Sequence, residues 1–312
     1  MQYSVYASPQ AAFDAVRNEP PWGDLVYKYN DCARQIDNMK YQWRSFNEKW
    51  NGGTFEDVEK KFNGDHGYEA KLIAHVEESL KSAEFFKKRF VFQNRLTCGQ
   101  RVDISRYLAG DSRCWSSVRR KSTRNFAVRV FAPMGGLSSV TPKMMRVCGA
   151  LTCAVCEALE QNGIGVEVWA TCECARNFII RNDVKWEDFS LKSDKSWTDI
   201  CHMVKIKDSS QYTDYGMVSY VTGDNGFYRN VIFKDRVLMG CKLLDQGAVF
   251  GEVGASRNFD ADNIPQSEDF DSSTDIVLPR IYDITEAEVW LKTKFTKSFN
   301  KIEERRANEE VA

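Results

Sequence analysis

The sequence predicts an α/β protein: a Rossmann-like, mainly parallel sheet flanked by helices, with a helical N-terminal extension. Three observations carry that expectation. Asn125 to Phe131 and Ile164 to Thr171 are nearly continuous apolar runs, as strands covered on both faces require. Between them Met144, Cys148, Leu151, Val155 and Leu159 recur every three or four residues and draw one helical stripe. Two strands joined by a helix of that length lie parallel, with a right-handed crossover.

The helix has a start and a stop written into it. Pro142 at the first helical position gives up an N–H that would have no partner, and Thr141 before it is placed to cap the first turn. Gly163 suits the left-handed residue that ends a helix. The turn before the helix, Ala132 to Val140, contains Gly135 and Gly136.

Taken in order, residues 1 to about 50 read as helical and amphipathic, with breaks at Pro9 and Pro20-Pro21 and an aromatic face of Trp43, Phe46 and Trp50. Asn51-Gly52-Gly53 stops that layer, and Thr54 is placed to cap a helix carrying Phe55, Val58 and Phe62. A third helix is expected from about Tyr68 to Phe90, and a short strand near Phe92 to Thr97. After the central unit come a strand at Ile200 to Ile206 and two short helices, near Asp214 to Val221 and Phe227 to Met239. The last strand is expected at Asp275 to Ile281. A final helix follows, opened by a Thr285–Glu288 capping box with an Ile284–Val289 staple and running to about Glu304. The expected division is a helical extension over 1–90, an α/β domain over 91–302 and a polar tail over 303–312.

The hydrophobic fraction of 43% and the charged fraction of 28% are those of an ordinary globular chain. No apolar run reaches the length of a membrane span and no signal pattern opens the chain, so no membrane partner and a cytoplasmic location are expected. The ten cysteines do not form a secreted framework, which points to free thiols. Net charge is near zero but uneven. Basic residues crowd Lys81 to Arg129 against only Glu84, Asp103 and Asp111, whereas Glu252 to Glu288 is acidic apart from Arg257 and Arg280.

The order strand, glycine-containing turn, long helix, strand resembles the opening of a von Willebrand factor A-like domain. The resemblance implies Asp-x-Ser-x-Ser in the turn, holding a divalent cation. Here Ala132, Met134 and Gly136 stand at those positions and offer no hard oxygen, so the metal site is expected to be degenerate. Val102 to Gly110, Arg146 to Leu151 with Gly165 to Trp169, Lys205 to Lys207, Tyr228 to Phe233 and Asp275 to Pro279 together resemble a family of uncharacterised, mainly phage-encoded proteins. That resemblance implies the fold and a phage origin (hence a host-cell cytoplasm) and brings no activity with it.

The leading expectation is a non-enzymatic binding or scaffold protein, with a protein partner or self-association and no cofactor. Its partner loop would be Met134, Gly135, Gly136, Ser138 and Ser139, with Thr171 to Arg176 beside it, at the carboxyl ends of the strands. A competing reading assigns nucleic-acid binding to Arg113, Trp115, Arg119, Arg120, Lys121 and Arg124, where cations neutralise phosphates and aromatics stack on bases. The plainer account is a solvated face, or one that docks the acidic loop. A third reading places a phosphorylated substrate at the Gly135-Gly136 turn, where free amides favour an anion. Against it, a glycine turn is what any tight strand-to-helix connection needs.

Two zinc patterns are also weighed. Cys153, Cys156, Cys172 and Cys174 offer four thiolates, but the first pair lies inside an apolar helical stripe, where cysteine behaves as a small hydrophobe. His75-Val76-Glu77 followed by Cys153-x-x-Cys156 has the residue order of zinc deaminases without the proline. None of His66, His75 and His202 sits in a nucleophile context.

Overall fold

The computed structural model describes residues 2–19, 52–63, 90–96, 101–102, 108, 115–120, 126–135, 140–174, 200–211, 213–238, 256–257 and 271–311. Its elements in chain order are β1 (Gln2–Tyr6), α1 (Pro9–Val16), α2 (Phe55–Asn63), β2 (Phe90–Leu96), β3 (Arg101–Val102), β4 (Trp115–Arg120), β5 (Ala127–Pro133), α3 (Pro142–Gln161), β6 (Gly165–Cys174) and β7 (Ile200–Lys207). After these come α4 (Tyr215–Gly223), α5 (Asn225–Phe227), α6 (Phe233–Leu238), β8 (Ser256–Arg257), β9 (Ile276–Val277), α7 (Ile284–Trp290) and α8 (Thr296–Val311). Widened π-turns at Tyr228–Ile232 and Leu291–Phe295 join α5 to α6 and α7 to α8.

The central unit forms as its sequence suggests. β5 and β6 are parallel, with Val128 beside Val166 and Val130 beside Val168. Thr141 caps α3 by accepting a hydrogen bond from the Met144 amide, and Gly163 has φ of 77° just past its end. The helix is buried on more sides than its stripe implies: nearly every residue from Val147 to Leu159 is enclosed. One reason is α4, which crosses at a glycine contact. A Cβ on Gly149 would stand 3.1 Å from Cα of Gly223, so neither position tolerates a side chain without separating the helices.

The main sheet is mixed and mostly parallel, in the order β1-β7-β6-β5-β9, with β8 pairing the end of β6. β9 runs parallel to β5, β7 antiparallel to β6, and β1 parallel to β7. Even-numbered residues of β5, β6 and β7 share one face, and both large cores lie on it. One core joins Val128, Val130 and Val168 to α3, α7 and α8. The other joins Ala170, Cys172 and Val204 to α1, α2 and the α4–α6 segment. The reverse face holds a small cluster of Phe131, Cys201 and Met203. It also holds a buried bidentate pair, Arg129 to Asp275 at 2.9 and 2.6 Å, in which burial raises the Asp275 carboxyl despite the guanidinium.

Several expectations need correcting. The first residues are a strand and not part of a helical layer: Gln2–Tyr6 adds to the main sheet, which therefore draws on both sides of the expected boundary at residue 90. Pro9 does not break a helix but starts one, with Ser8 as its cap. The final helix is capped by Asp283, which accepts from the Glu286 amide, and not by Thr285; Val289 is exposed and forms no staple. The final helix does not stop near Glu304 but continues through the polar segment to Val311. Buried Arg306 donates to the Asn162 carbonyl at the end of α3, 2.8 Å away, and ties the last turns down. The Thr54 cap is as expected, with Val58 and Phe62 buried behind it. The aromatic face of Trp43, Phe46 and Trp50 lies outside the described residues, as does the expected helix from Tyr68 up to the start of β2.

Candidate functional site

The carboxyl ends of β5 and β6 define one edge of the sheet, and the strand order brings chemistry to it. Because β7 is antiparallel to β6, its first residues sit beside the last residues of β6; β1, parallel to β7, begins there too. Register then sets Cys172 beside His202 and His202 beside Ser4, a row of three on the helical face. Met134 adjoins the row, its amide donating to the Thr171 carbonyl at 2.8 Å.

The helical segment from α5 to α6 closes over this row. Asp235 of α6 is the hub: Ser4 Oγ donates to its Oδ2 at 2.7 Å, His202 Nε2 lies 3.1 Å from the same oxygen, and the Tyr6 hydroxyl also bonds to the carboxylate. Burial alone would raise this carboxyl, yet His202, Tyr6 and Ser4 together hold it below the usual range. The Tyr6 phenol moves the other way, raised by burial and by the carboxylate it bonds. One turn before α6, Tyr228 lies against Gly135, whose φ of +81° and missing side chain let the ring touch the backbone; a Cβ there would collide with it. Cys172 Sγ donates to the Tyr228 hydroxyl at 3.6 Å. His202, Cys172 and Met134 are 0% exposed, and Tyr228 is 1% exposed.

Two buried cations stand in the same segment. Lys234 Nζ donates to the Glu19 carbonyl at 3.2 Å and lies 3.7 Å from the centre of the Phe55 ring; burial lowers its ammonium to about 8. Arg229, 2% exposed, is lowered by burial to about 10.

Chemically, the cluster ties strands to helix. A carboxylate accepting from two hydroxyls and facing an imidazole is satisfied, and it fixes how β1, β7 and α6 sit together. The order of groups is not that of a nucleophile relay. Ser4 donates to the carboxylate, whereas a relay needs the imidazole between the two.

A family model described as Domain of unknown function (DUF7192) matches residues 5–301. The chain belongs to that family. No curated protein and no solved structure matches it. The match to the DUF7192 model starts inside β1 and ends inside α8, so it takes in most of both cores and Tyr6, His202 and Asp235, with Ser4 just outside it.

The residues singled out from the sequence fare unevenly in this member of DUF7192. Met134 and Gly135 are buried in the β5–α3 turn; Gly136, Ser138 and Ser139 lie outside the described residues. The Tyr228 ring occupies the place a side chain on Gly135 would take. Thr171 and Cys172, expected in a loop, are the buried end of β6.

The thiols are not gathered either. Cys153 Sγ donates to the Tyr215 carbonyl at 3.6 Å, Cys156 is enclosed in the α3 core, where burial pushes its thiol up, and Cys172 points to Tyr228. Among the described residues no three of His, Cys, Asp or Glu stand as metal ligands. The side chain of Cys174 and the whole of His75 lie outside them. Cys148, Cys153, Cys156, Cys172 and Cys201 are free thiols.

Trp115, Arg119 and Arg120 fall on β4, the middle strand of a separate antiparallel sheet in the order β2-β4-β3. Val91 is the register partner of Arg119, and Phe90 that of Arg120. Arg113, Lys121 and Arg124 lie outside the described residues. Among those residues no helix is long and apolar enough to cross a membrane.

Sequence reasoning misses the hub. Asp235 falls four residues after Val231 and three before Leu238, on an apolar stripe, and a carboxylate in that position needs buried donors. Ser4 and Tyr6 alternate with Tyr3 and Val5, a strand period that a five-residue element barely displays.

Proposed function

We propose that the chain is a non-enzymatic binding or scaffold module with a von Willebrand factor A-like domain whose cation site has degenerated. The observation that carries this reading is the state of the carboxyl edge. There Cys172, His202, Asp235 and Tyr228, the groups able to do chemistry, are enclosed and bonded among themselves. The von Willebrand factor A-like part is supported by the parallel β5–α3–β6 unit with its left-handed glycine, and by Ala132 and Met134, which turn into the core. A phage origin belongs to the same proposal and rests on the sequence blocks that resemble the phage-encoded family. The test is purification of the full chain through high salt with nuclease. Retention of a protein partner, or of self-association, is expected; complexes that vanish with salt or nuclease would overturn it.

A second reading, nucleic-acid binding, is favoured by one observation: the basic, tryptophan-containing segment supplies the middle strand of its own small sheet, a common base-stacking platform. It predicts affinity for single strands that falls steeply with salt and weakens when Arg119, Arg120 and Lys121 become Ala. Unchanged affinity in that triple variant would exclude it.

A further inference from the structure

The outward side of the C-terminal helix carries positive charge without a partner of opposite sign. Leu291, Phe295, Phe299 and Ile302 turn inward, which sets the other side of α8, and of the π-turn before it, toward solvent. That side presents Lys292, Lys294, Lys297 and Lys301, all exposed, and no acid occurs between the first and the last of them. Lys294, Lys297 and Lys301 follow one another at helical spacing and form a row, with Thr293 and Asn300 exposed beside it. Lys301 donates to the Ser273 carbonyl at 2.8 Å, whereas Lys292, Lys294 and Lys297 have no carboxylate at ion-pair distance among the described residues. Cations elsewhere are matched: Lys61 has Asp224, Arg129 has Asp275 and Lys207 has Glu160. Arg305, on the next turn of α8, has Asp271 and Glu309, and with Glu304 beside it the row ends there.

We infer that this row is a docking surface for the phosphate backbone of double-stranded DNA. Between Lys292 and Lys301 the exposed side chains are lysine, threonine and asparagine only. Such a face lacks the aromatic anchors on which a protein interface centres and the apolar wedge that enters a lipid surface. Val289, exposed one turn earlier, is a single aliphatic side chain and makes no patch. Trp290 is stacked on Phe295, so the row holds no platform for unpaired bases and a single strand gains little from it. What remains is the chemistry that positions a duplex: ammonium groups neutralise phosphates and short polar groups bond to their oxygens, with no reading of sequence. The open grooves of B-form DNA leave the phosphates of both strands within reach of a convex helix. This surface goes beyond the scaffold reading and shares no residue with the β4 segment, so each fails or stands separately.

The experiment is fluorescence anisotropy of a short labelled DNA duplex titrated with the full chain, at salt from roughly 50 to 200 mM. Wild type binds, and its affinity falls as salt rises. Lys292→Gln, Lys294→Gln and Lys297→Gln together weaken binding ~tenfold or more at the lower salt. They also flatten the logarithmic salt slope by about 0.9 for each phosphate contact removed, a change that a purely structural role would not produce. The same three lysines changed to Arg keep both affinity and slope, and both variants unfold thermally as wild type does, since the three positions are exposed. A wild type that leaves the duplex unbound overturns the proposal, as does a Gln variant that binds like wild type. Tighter binding to the single strand, or equal binding to polyglutamate or to phosphatidylserine vesicles, overturns it too. Binding lost only when Arg119, Arg120 and Lys121 become Ala removes this surface and leaves the β4 reading standing.

Discussion

The two cores on the helical face of the sheet are built differently. The one between α3 and the C-terminal helices is almost wholly apolar: Val128, Val130, Leu151, Val155, Leu159, Leu291, Phe295 and Phe299 fill it. The one under α4 to α6 is apolar too but encloses ionisable groups at its margin, with Lys234 at 2% exposure, Asp235 at 7% and His202 at 0%. The first core holds mainly by apolar packing, with Arg306 bonding the Asn162 carbonyl at its edge. The second holds partly by geometry, since each buried polar group must find its partner or impose a desolvation penalty. Apolar packing tolerates small shifts, whereas a carboxylate with three partners accepts one arrangement of β1, β7 and α6.

Substitutions can break or sharpen that contrast. Phe295→Ala, in the apolar core, should lose the most, about 3–5 kcal/mol in denaturant unfolding, because it leaves a cavity. Asp235→Asn should cost about 1–3 kcal/mol at neutral pH by leaving donors of the hub poorly matched. Its dependence on pH sets it apart. The Asp235 carboxyl is held below its ordinary value of 3.8, so its contribution is complete above that value and is lost as pH falls through the lowered one. The gap between wild type and variant therefore closes in acid, whereas that of Phe295→Ala should show no such closure. Thr141→Ala removes the α3 cap and should cost about 1 kcal/mol, read in the same unfolding curves.

Lys234→Met should have the smallest effect and the opposite sign. Replacing a buried cation by a side chain of similar length is neutral or stabilising by about 1 kcal/mol, since the lost carbonyl and aromatic contacts offset part of the gain. The lysine binds its proton less tightly when folded (about 8 against 10.5), so wild-type stability rises between those pH values and the variant's advantage shrinks there. An advantage that grew with pH would mean that Lys234 is not desolvated.

The contrast also explains what the sequence can tell. The apolar core follows from local rules: a proline start, a capping threonine, a glycine stop and a stripe of period 3.6 locate α3, and flanking apolar runs locate β5 and β6. The polar margin depends on partners far apart in the chain. Ser4 meets Asp235 across 231 positions, and no local period signals that pairing. A short element escapes notice for a related reason: β1 has five residues, too few for alternation to stand out. Tyr228 and Asp235 stand seven residues apart, a spacing that places both on one helical face toward the sheet. Met134 and Gly135 read as surface in the sequence because turns usually are; the Tyr228 ring makes this one interior.

The central claim is that the groups at the carboxyl edge brace the fold and do not react. Iodoacetamide labelling of the native protein, followed cysteine by cysteine by mass spectrometry, tests it most directly. The account predicts that Cys172 labels no faster than Cys153 and Cys156, all three only as the protein unfolds. Rapid native labelling of Cys172 alone, slowed in His202→Asn, would show an activated thiol and contradict it.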